Sequence, residues 1–408
     1  MKNVLLIPFL ALALFGAGCA SINPTPSASA ASSLSRRISS AASSTLVIEP
    51  DAGVAPVISM IQSAKKSVDL VMYELEDTQV ERALVADQAR GVTVRVLLNQ
   101  GYFGAQSKDN VPAYQFLSTN KVAVKWTPSY FALTHEKSLV VDGSQALIMT
   151  FNLTPQYYSS SRDFGLVDDD PKDVAAMEST FDADWKGTKI ASANGDDLVW
   201  SPGSEPQTVS VINSATSSLD VYNEEMSDKR IISALEAAAK RGVTVNVDMT
   251  DSSDWSSAFQ ALTSAGVHVR TYAAKATLYI HAKMVLADGK TAFVGSENFS
   301  ATSLNQNREL GLDVSDPKVL TSLLATFNAD WSVATPFGSK APTPQMPATT
   351  STTASPMPTT STNSTMVKLS TTGICHVPGD SSYDQTTHFT SYATLQDCLN
   401  AGGREPKN

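Results

Sequence analysis

Cysteine is scarce. The 408-residue chain has three, Cys19, Cys375 and Cys398, and the long stretch between Cys19 and Cys375 contains none. A catalytic thiol or a cysteine-ligated metal is thereby excluded from the body of the protein. Basic residues are also in deficit, 30 Lys and Arg against 40 Asp and Glu for a net charge of −10. That balance weighs against a protein that coats nucleic acid through one broad basic face, although a cleft can still be locally positive. Long apolar runs are missing too. The run Val4 to Phe15 is too short for a comfortable transmembrane helix. With 17% charged and 42% apolar residues, the composition is that of a folded, soluble enzyme-like body.

The chain's start reads as an export signal over residues 1–19: a positive Met1-Lys2-Asn3, the apolar run, then Gly16-Ala17-Gly18-Cys19. Small residues directly before Cys19 resemble a bacterial lipobox, in which the cysteine carries the lipid and becomes the mature N-terminus. Gly16 departs from that pattern, which usually has Leu there, so ordinary signal-peptidase cleavage is the alternative. The expectation is export from a bacterial cytoplasm, either membrane-anchored through lipidated Cys19 or periplasmic or secreted. Cys375 and Cys398 then form an even pair, read as a disulfide in an oxidising compartment. A Cys2His2 zinc set with His376 and His388 is the other reading.

Between the ends lies an internal duplication. His135-x-Lys137, Asp142 and Asn152 recur as His281-x-Lys283, Asp288 and Asn298, every pair separated by 146 residues (281 − 135 = 146). Thr180-Phe181-Asp182-Ala183-Asp184-Trp185 recurs at the same interval as Thr326-Phe327-Asn328-Ala329-Asp330-Trp331. Strand-like Ser67 to Val71, a helical pattern from Thr78 to Ala89 and Arg90-Gly91-Val92-Thr93-Val94 have counterparts at Ser218 to Val221, about Lys229 to Lys240 and Arg241-Gly242-Val243-Thr244-Val245. Alternating strands and helices predict an α/β class with two pseudo-symmetric α-β-α layered lobes, residues 46–190 and 191–335, and a site at their interface. A Ser/Ala-rich tether (20–45) precedes them; a Ser/Thr/Pro-rich linker (336–372) and a small cysteine-bearing module (373–408) follow.

Two-residue spacing in a strand points His and Lys to one face. Asp142-Gly143 and Asp288-Gly289 are hairpin-turn dipeptides, so both aspartates are read as structural. The return strands deliver Asn152 and Asn298 back to the His-Lys end. Each half thus gathers an imidazole, an ammonium and an amide at one sheet edge. Lysine is rarely a metal ligand and no second His or Cys accompanies either copy, so neither metal nor cofactor is expected.

The doubled His-x-Lys-x4-Asp-x6-Gly-Ser-x-Asn pattern resembles the phospholipase D superfamily over about residues 46 to 335. The second copy is complete through Gly295-Ser296-Glu297-Asn298; the first has Met149 and Thr150 where Gly and Ser are expected. Met149 adds bulk that is expected to sit beside the pocket. The resemblance continues to Asp163 and Glu309, each eleven residues past its Asn, and implies that these acids orient the catalytic histidines. It implies a metal-independent phosphodiesterase working through a phosphohistidine. His135 and His281 would serve as nucleophile and general acid, and Lys137, Asn152, Lys283, Ser296 and Asn298 would bind phosphate. The two-motif pattern suggests His135 as nucleophile, while the Met149 departure favours the reverse. A monomer acting on phospholipid is the expectation. An exported nuclease and a non-catalytic surface-binding protein are the alternatives.

Overall fold

The computed structural model describes residues 45–102 and 109–339, and in the C-terminal segment residues 367–370, 374–378, 380, 382–383, 386, 389–392, 394–400 and 404. The expected export signal, Cys19, nearly all of the tether and His388 lie outside the described residues. Among the described residues no helix is long and apolar enough to cross a membrane.

The first half opens with β1 (Thr45–Glu49), α1 (Ala55–Ser63), β2 (Ser67–Met72), α2 (Thr78–Ala89) and β3 (Thr93–Leu98). It continues with α3 (Val111–Thr119), β4 (Ala123–Trp126), β5 (Ser138–Val141), β6 (Gln145–Met149), β7 (Ser161–Asp168) and α4 (Pro171–Lys186). The second half has β8 (Leu198–Ser201), α5 (Glu205–Ser214), β9 (Ser218–Tyr222), α6 (Lys229–Lys240), β10 (Thr244–Thr250), α7 (Ser256–Ser264) and β11 (His268–Tyr272). It ends with β12 (Tyr279–Ile280), β13 (Lys283–Ala287), β14 (Thr291–Gly295), α8 (Ala301–Asn305), β15 (Glu309–Val314), α9 (Pro317–Val333) and β16 (Thr335–Pro336). Helix starts follow local chemistry. Asp77 and Asp228 cap α2 and α6 through their side chains, and Asp170-Pro171 and Asp316-Pro317 open α4 and α9.

Two mixed eight-stranded sheets result, one ordered β1-β7-β6-β5-β2-β3-β4 with β12 on β7, the other β16-β11-β10-β9-β13-β14-β15-β8. In each, three parallel strands adjoin an antiparallel meander, β2-β3-β4 beside β5-β6-β7 and β9-β10-β11 beside β13-β14-β15. Helices α1–α3 cover one face of the first sheet around Ile61, Leu84 and Leu117. Helices α5–α7 cover the second around Ile212, Leu235 and Phe259. A third core cluster draws on both halves. It joins Ile148, Phe164 and Met177 to Met284, Leu312, Leu323 and Phe327, with α4 and α9 contributing. The two sheets therefore belong to one compact unit, while residues 342–408 cluster separately.

Asp142 and Asp288 are hairpin residues with positive φ (56° and 54°), each followed by a left-handed Gly. Their carboxylates accept the backbone N–H groups of Lys65, Lys66 and Ser67, and of Thr216, Ser217 and Ser218. Each ties its hairpin to the entrance of the neighbouring parallel strand. Both carboxyls are held below the usual range because these bonds outweigh the effect of burial.

The halves grip each other by exchange. Tyr279↔Ser161 and Ile280↔Arg162 pair β12 of the second half with β7 of the first. At the mirror position Thr134 bridges Arg308. Two ion pairs reinforce this crossing: Arg162 to Asp330 at 2.6 Å and Arg308 to Asp184 at 2.9 Å, all four side chains buried. The two aspartates are the repeated residues before Trp185 and Trp331. Those Trp rings stack on Phe181 and Phe327 as part of the packing.

In the C-terminal unit β17 (Val367–Ser370) pairs with both β18 (Cys375–His376) and β19 (Phe389–Tyr392), beside α10 (Leu395–Asn400). Cys375 and Cys398 are joined as a disulfide and are fully buried. His376 contacts Asp380 at 3.1 Å, so the Cys2His2 reading is set aside: a disulfide sulfur is no thiolate ligand. The expected linker also ends earlier than residue 372. Val367-Lys368-Leu369-Ser370 is the central strand of this sheet, an alternation concealed by the Ser/Thr-rich residues before it.

Removing one partner of a buried pair leaves an uncompensated charge. Asp330→Ala is therefore expected to cost about 3–5 kcal/mol in urea unfolding, and the double change Arg162→Met with Asp330→Leu clearly less. Equal losses for the two would contradict the pairing as the cause.

Candidate active site

The exchanged backbone sets the site. The N–H groups of His135 and Glu136 both donate to Arg308 O, at 2.9 and 3.0 Å, and those of His281 and Ala282 to Arg162 O, at 3.2 and 2.8 Å. His135 and Lys137 thus precede β5 instead of lying within it, a departure from the expected strand placement. The His135 backbone is held by the opposite half, whereas Lys137 O accepts the Met149 N–H of its own half at 2.9 Å. In each case the residue after that Arg is the predicted acid, and the imidazole reaches it: His135 Nδ1 donates to Glu309 Oε2 at 2.8 Å, and His281 Nδ1 to Asp163 Oδ1 at 2.8 Å. Each histidine is therefore oriented by the other half's carboxylate.

His135 Nδ1 also lies 3.2 Å from Ser296 O. With two acceptors at Nδ1, the proton sits there and Nε2 keeps its lone pair. Burial drives His135 down to about 4; Lys137 adds to this, while Glu309 opposes it. Burial alone would raise Glu309, yet His135, Lys137 and the Ser303 hydroxyl hold it below its usual range. His281 presents both ring nitrogens to carboxylates, with Nε2 3.5 Å from Glu224.

The lysines lie under the floor, less than 2% exposed. Lys137 Nζ donates to His135 O at 2.7 Å and sits 5.0 Å from the centre of the Tyr73 ring. Lys283 Nζ donates to His281 O at 2.5 Å and to Glu224 Oε2 at 3.0 Å. Burial, then the Lys283 charge, takes Lys137 down to about 7.

A cavity of about 540 Å³ opens above, lined by His135, His281, Asn152, Asn298 and Asp163. Asn298 Nδ2 donates to Glu225 at 3.2 Å, and Asn152 Oδ1 is buried with no hydrogen-bond partner among the described residues. Both imidazoles and both amides therefore face one space. Tyr73, Phe151, Tyr157, Tyr158 and Tyr279 supply apolar wall.

Two expectations require correction. Ser296 does not line the cavity: it is fully buried and its hydroxyl accepts the Leu310 N–H at 3.1 Å. Thr150 does the same for Phe164 N at 2.8 Å and also donates to Asp163 at 2.6 Å. These hydroxyls brace the strand that carries the acid and do not face a phosphate. Met149 is likewise in the core of the first half, away from the cavity. Glycine is required at 295 by close approach: a Cβ there would meet Gly311 Cα at 2.5 Å and Glu297 Oε2 at 2.4 Å.

Sequence reasoning missed the carboxylates Glu49, Glu74, Glu224 and Glu225 on the lining. The only signal was Glu224-Glu225 one residue past the β9 strand, where the first half has Tyr73-Glu74 after β2.

The His135 ring is expected to titrate by NMR with a midpoint near 4, against an ordinary value of about 6.5. In Glu309→Gln the midpoint should fall further, because a charge that favours the imidazolium is lost. A midpoint at the ordinary value contradicts the buried, Lys137-facing environment.

Comparison with known proteins gives the same outline. The family described as "Cardiolipin synthase, PLD-like domain" matches residues 57–185 and 208–331. A cardiolipin synthase of Listeria welshimeri is 22% identical over 319 residues, 67% of this chain and 66% of the relative. The chain thus spans a little under two thirds of that relative's length. A mitochondrial cardiolipin hydrolase of Xenopus laevis is 28% identical over 144 residues, 35% of this chain and 66% of that protein. The solved phosphatidylserine synthase of Haemophilus influenzae has the same fold, with a TM-score of 0.57 at 13% identity over 72% of this chain and 87% of that one. The family match falls on both halves and takes in both His-x-Lys motifs, so the chain belongs to the phospholipase D superfamily as a member of this PLD-like domain family.

Proposed function

We propose that the protein is a phosphodiesterase of phospholipase D type that cleaves or transfers the phosphodiester of a phospholipid through a phosphohistidine on His135. The observation that carries this reading is the crossed pair His135–Glu309 and His281–Asp163 over one cavity. His135 Nε2 attacks phosphorus and the bond to the leaving alcohol breaks, while His281 Nε2–H gives that alcohol its proton. His281 then takes a proton from water, or from a second alcohol, as that oxygen attacks phosphorus and the P–N bond breaks. Lys137, Lys283, Asn152 and Asn298 offset the charge that builds on the non-bridging oxygens.

The lining supports a lipid over a polynucleotide. Glu224, held charged by Lys283, and the other carboxyls of the lining offer no basic track for the successive phosphates of a polyanion, whereas the aromatic wall suits a substrate with apolar parts. The relatives named as cardiolipin synthase and cardiolipin hydrolase favour the same class. Export and attachment through Cys19 are part of this proposal and would bring the site to a membrane surface.

The full chain, in EDTA, is to be offered vesicles of phosphatidylglycerol, cardiolipin or phosphatidylcholine beside plasmid DNA. Head-group or alcohol release from vesicles is expected, abolished in His135→Ala and reduced roughly 10²–10³-fold in Lys283→Ala with the fold retained. Nicked DNA with intact lipid would overturn the lipid reading, and loss of activity in EDTA would overturn the metal-independent route.

The kcat/KM profile should rise through about 4 as His135 loses its proton and fall beyond about 7 as Lys137 loses its charge. In Lys137→Arg the alkaline limb should move upward, because a guanidinium stays charged. An unmoved limb would assign that fall to another group.

A further inference from the structure

Glu224 breaks the pseudo-symmetry at the place where it matters most. The helix caps Asp77 and Asp228 are 151 residues apart (228 − 77 = 151), which puts Tyr73 and Glu224 at equivalent positions. In the first half Lys137 lies by the Tyr73 ring, 5.0 Å from its centre. In the second half Lys283 meets a carboxylate. Glu224 Oε2 is 3.0 Å from Lys283 Nζ, 3.4 Å from Asn298 Nδ2 and 3.5 Å from His281 Nε2. An ammonium, an amide N–H and an imidazole N–H converging on one oxygen are what a phosphoryl oxygen requires. Burial would raise the Glu224 carboxyl, but Lys283, His281 and His135 hold it well below its usual range, so it stays charged.

We infer that Glu224 is a resident anion: its carboxylate occupies the phosphoryl subsite of the free protein and must swing out before a phosphodiester can enter. Tyr279 gives it somewhere to go. The Tyr279 hydroxyl donates to the other oxygen, Oε1, at 2.9 Å, from a ring 38% exposed on the cavity wall. A side chain pivoting on that bond leaves Lys283 and Asn298 to the ligand. The consequence is selection. An anion enters only when its own contacts exceed those that Glu224 gives up, so small free phosphates are held off while a phosphodiester with further groups to bind is admitted.

This inference rests on the phosphodiester site proposed above, but its test does not need turnover. Inorganic phosphate is titrated by calorimetry into the full chain, Glu224→Gln and Glu225→Gln. Phosphate should bind Glu224→Gln about tenfold more tightly or better than the unaltered chain. Glu225→Gln alters the neighbouring carboxyl of the same cavity without freeing Lys283, and should shift affinity far less. Should Glu224→Gln lose its fold by circular dichroism, Glu224→Asp serves instead. Its carboxylate is one methylene short of Lys283, and tightening is again expected. No gain in either folded variant, or an equal gain in Glu225→Gln, overturns the inference. Tighter phosphate binding in Glu224→Gln with no lipid turnover by the unaltered chain would leave the resident anion standing and remove the substrate reading alone.

Discussion

The whole site depends on two backbone carbonyls. Arg162 O and Arg308 O each accept a pair of N–H groups from the His-x-Lys segment of the opposite half. Because the next residue along each strand is Asp163 or Glu309, the same contact that docks the halves also delivers a carboxylate to an imidazole. Buried guanidinium–carboxylate pairs, Arg162–Asp330 and Arg308–Asp184, clamp the outer side of the crossing. Side-chain orientation in the site is thus inherited from ladder geometry, which is stiffer than any loop. A half on its own would hold an unpaired histidine and an unpaired acid.

Burying this much charge has consequences. Lys137 and Lys283 lie beneath the floor with their ammonium groups turned to the carbonyls of the histidines two residues earlier. Desolvation weakens Lys137 as a base for protons, yet it strengthens the field its ammonium exerts on any nearby charge. The same desolvation favours the neutral form of His135 despite its carboxylate neighbour. Duplication supplied equal parts, and the unequal neighbours Tyr73 and Glu224 give the two lysines different surroundings.

Repetition at one interval made much of this legible. Every residue in the His, Lys, Asp and Asn series falls at the same spacing, and a polar signature kept twice needs a polar reason. Helix spans over 78–89 and 229–240, the hairpins at Asp142 and Asp288, and the mixed α/β architecture follow from local signals: caps, Gly after helices, and alternation. Ser296 misled because a hydroxyl beside a cavity-lining Asn carries no mark of which way it points. Its partner, Leu310 N, is supplied by a neighbouring strand. Val367 to Ser370 escaped notice because four residues in a Ser/Thr-rich tract become a strand only when β18 and β19 lie beside them.

By itself the sequence determined that there are two halves, which side chains each contributes and that their chemistry suits a phosphodiester, since residue type and spacing are local properties. Tertiary structure decided which acid meets which histidine, that the lysines sit below the floor, and that Glu224 rests against Lys283 and His281. Those outcomes rest on strand pairing between residues well over a hundred positions apart and on desolvation by the assembled core. Neither exists until the two halves have closed on each other.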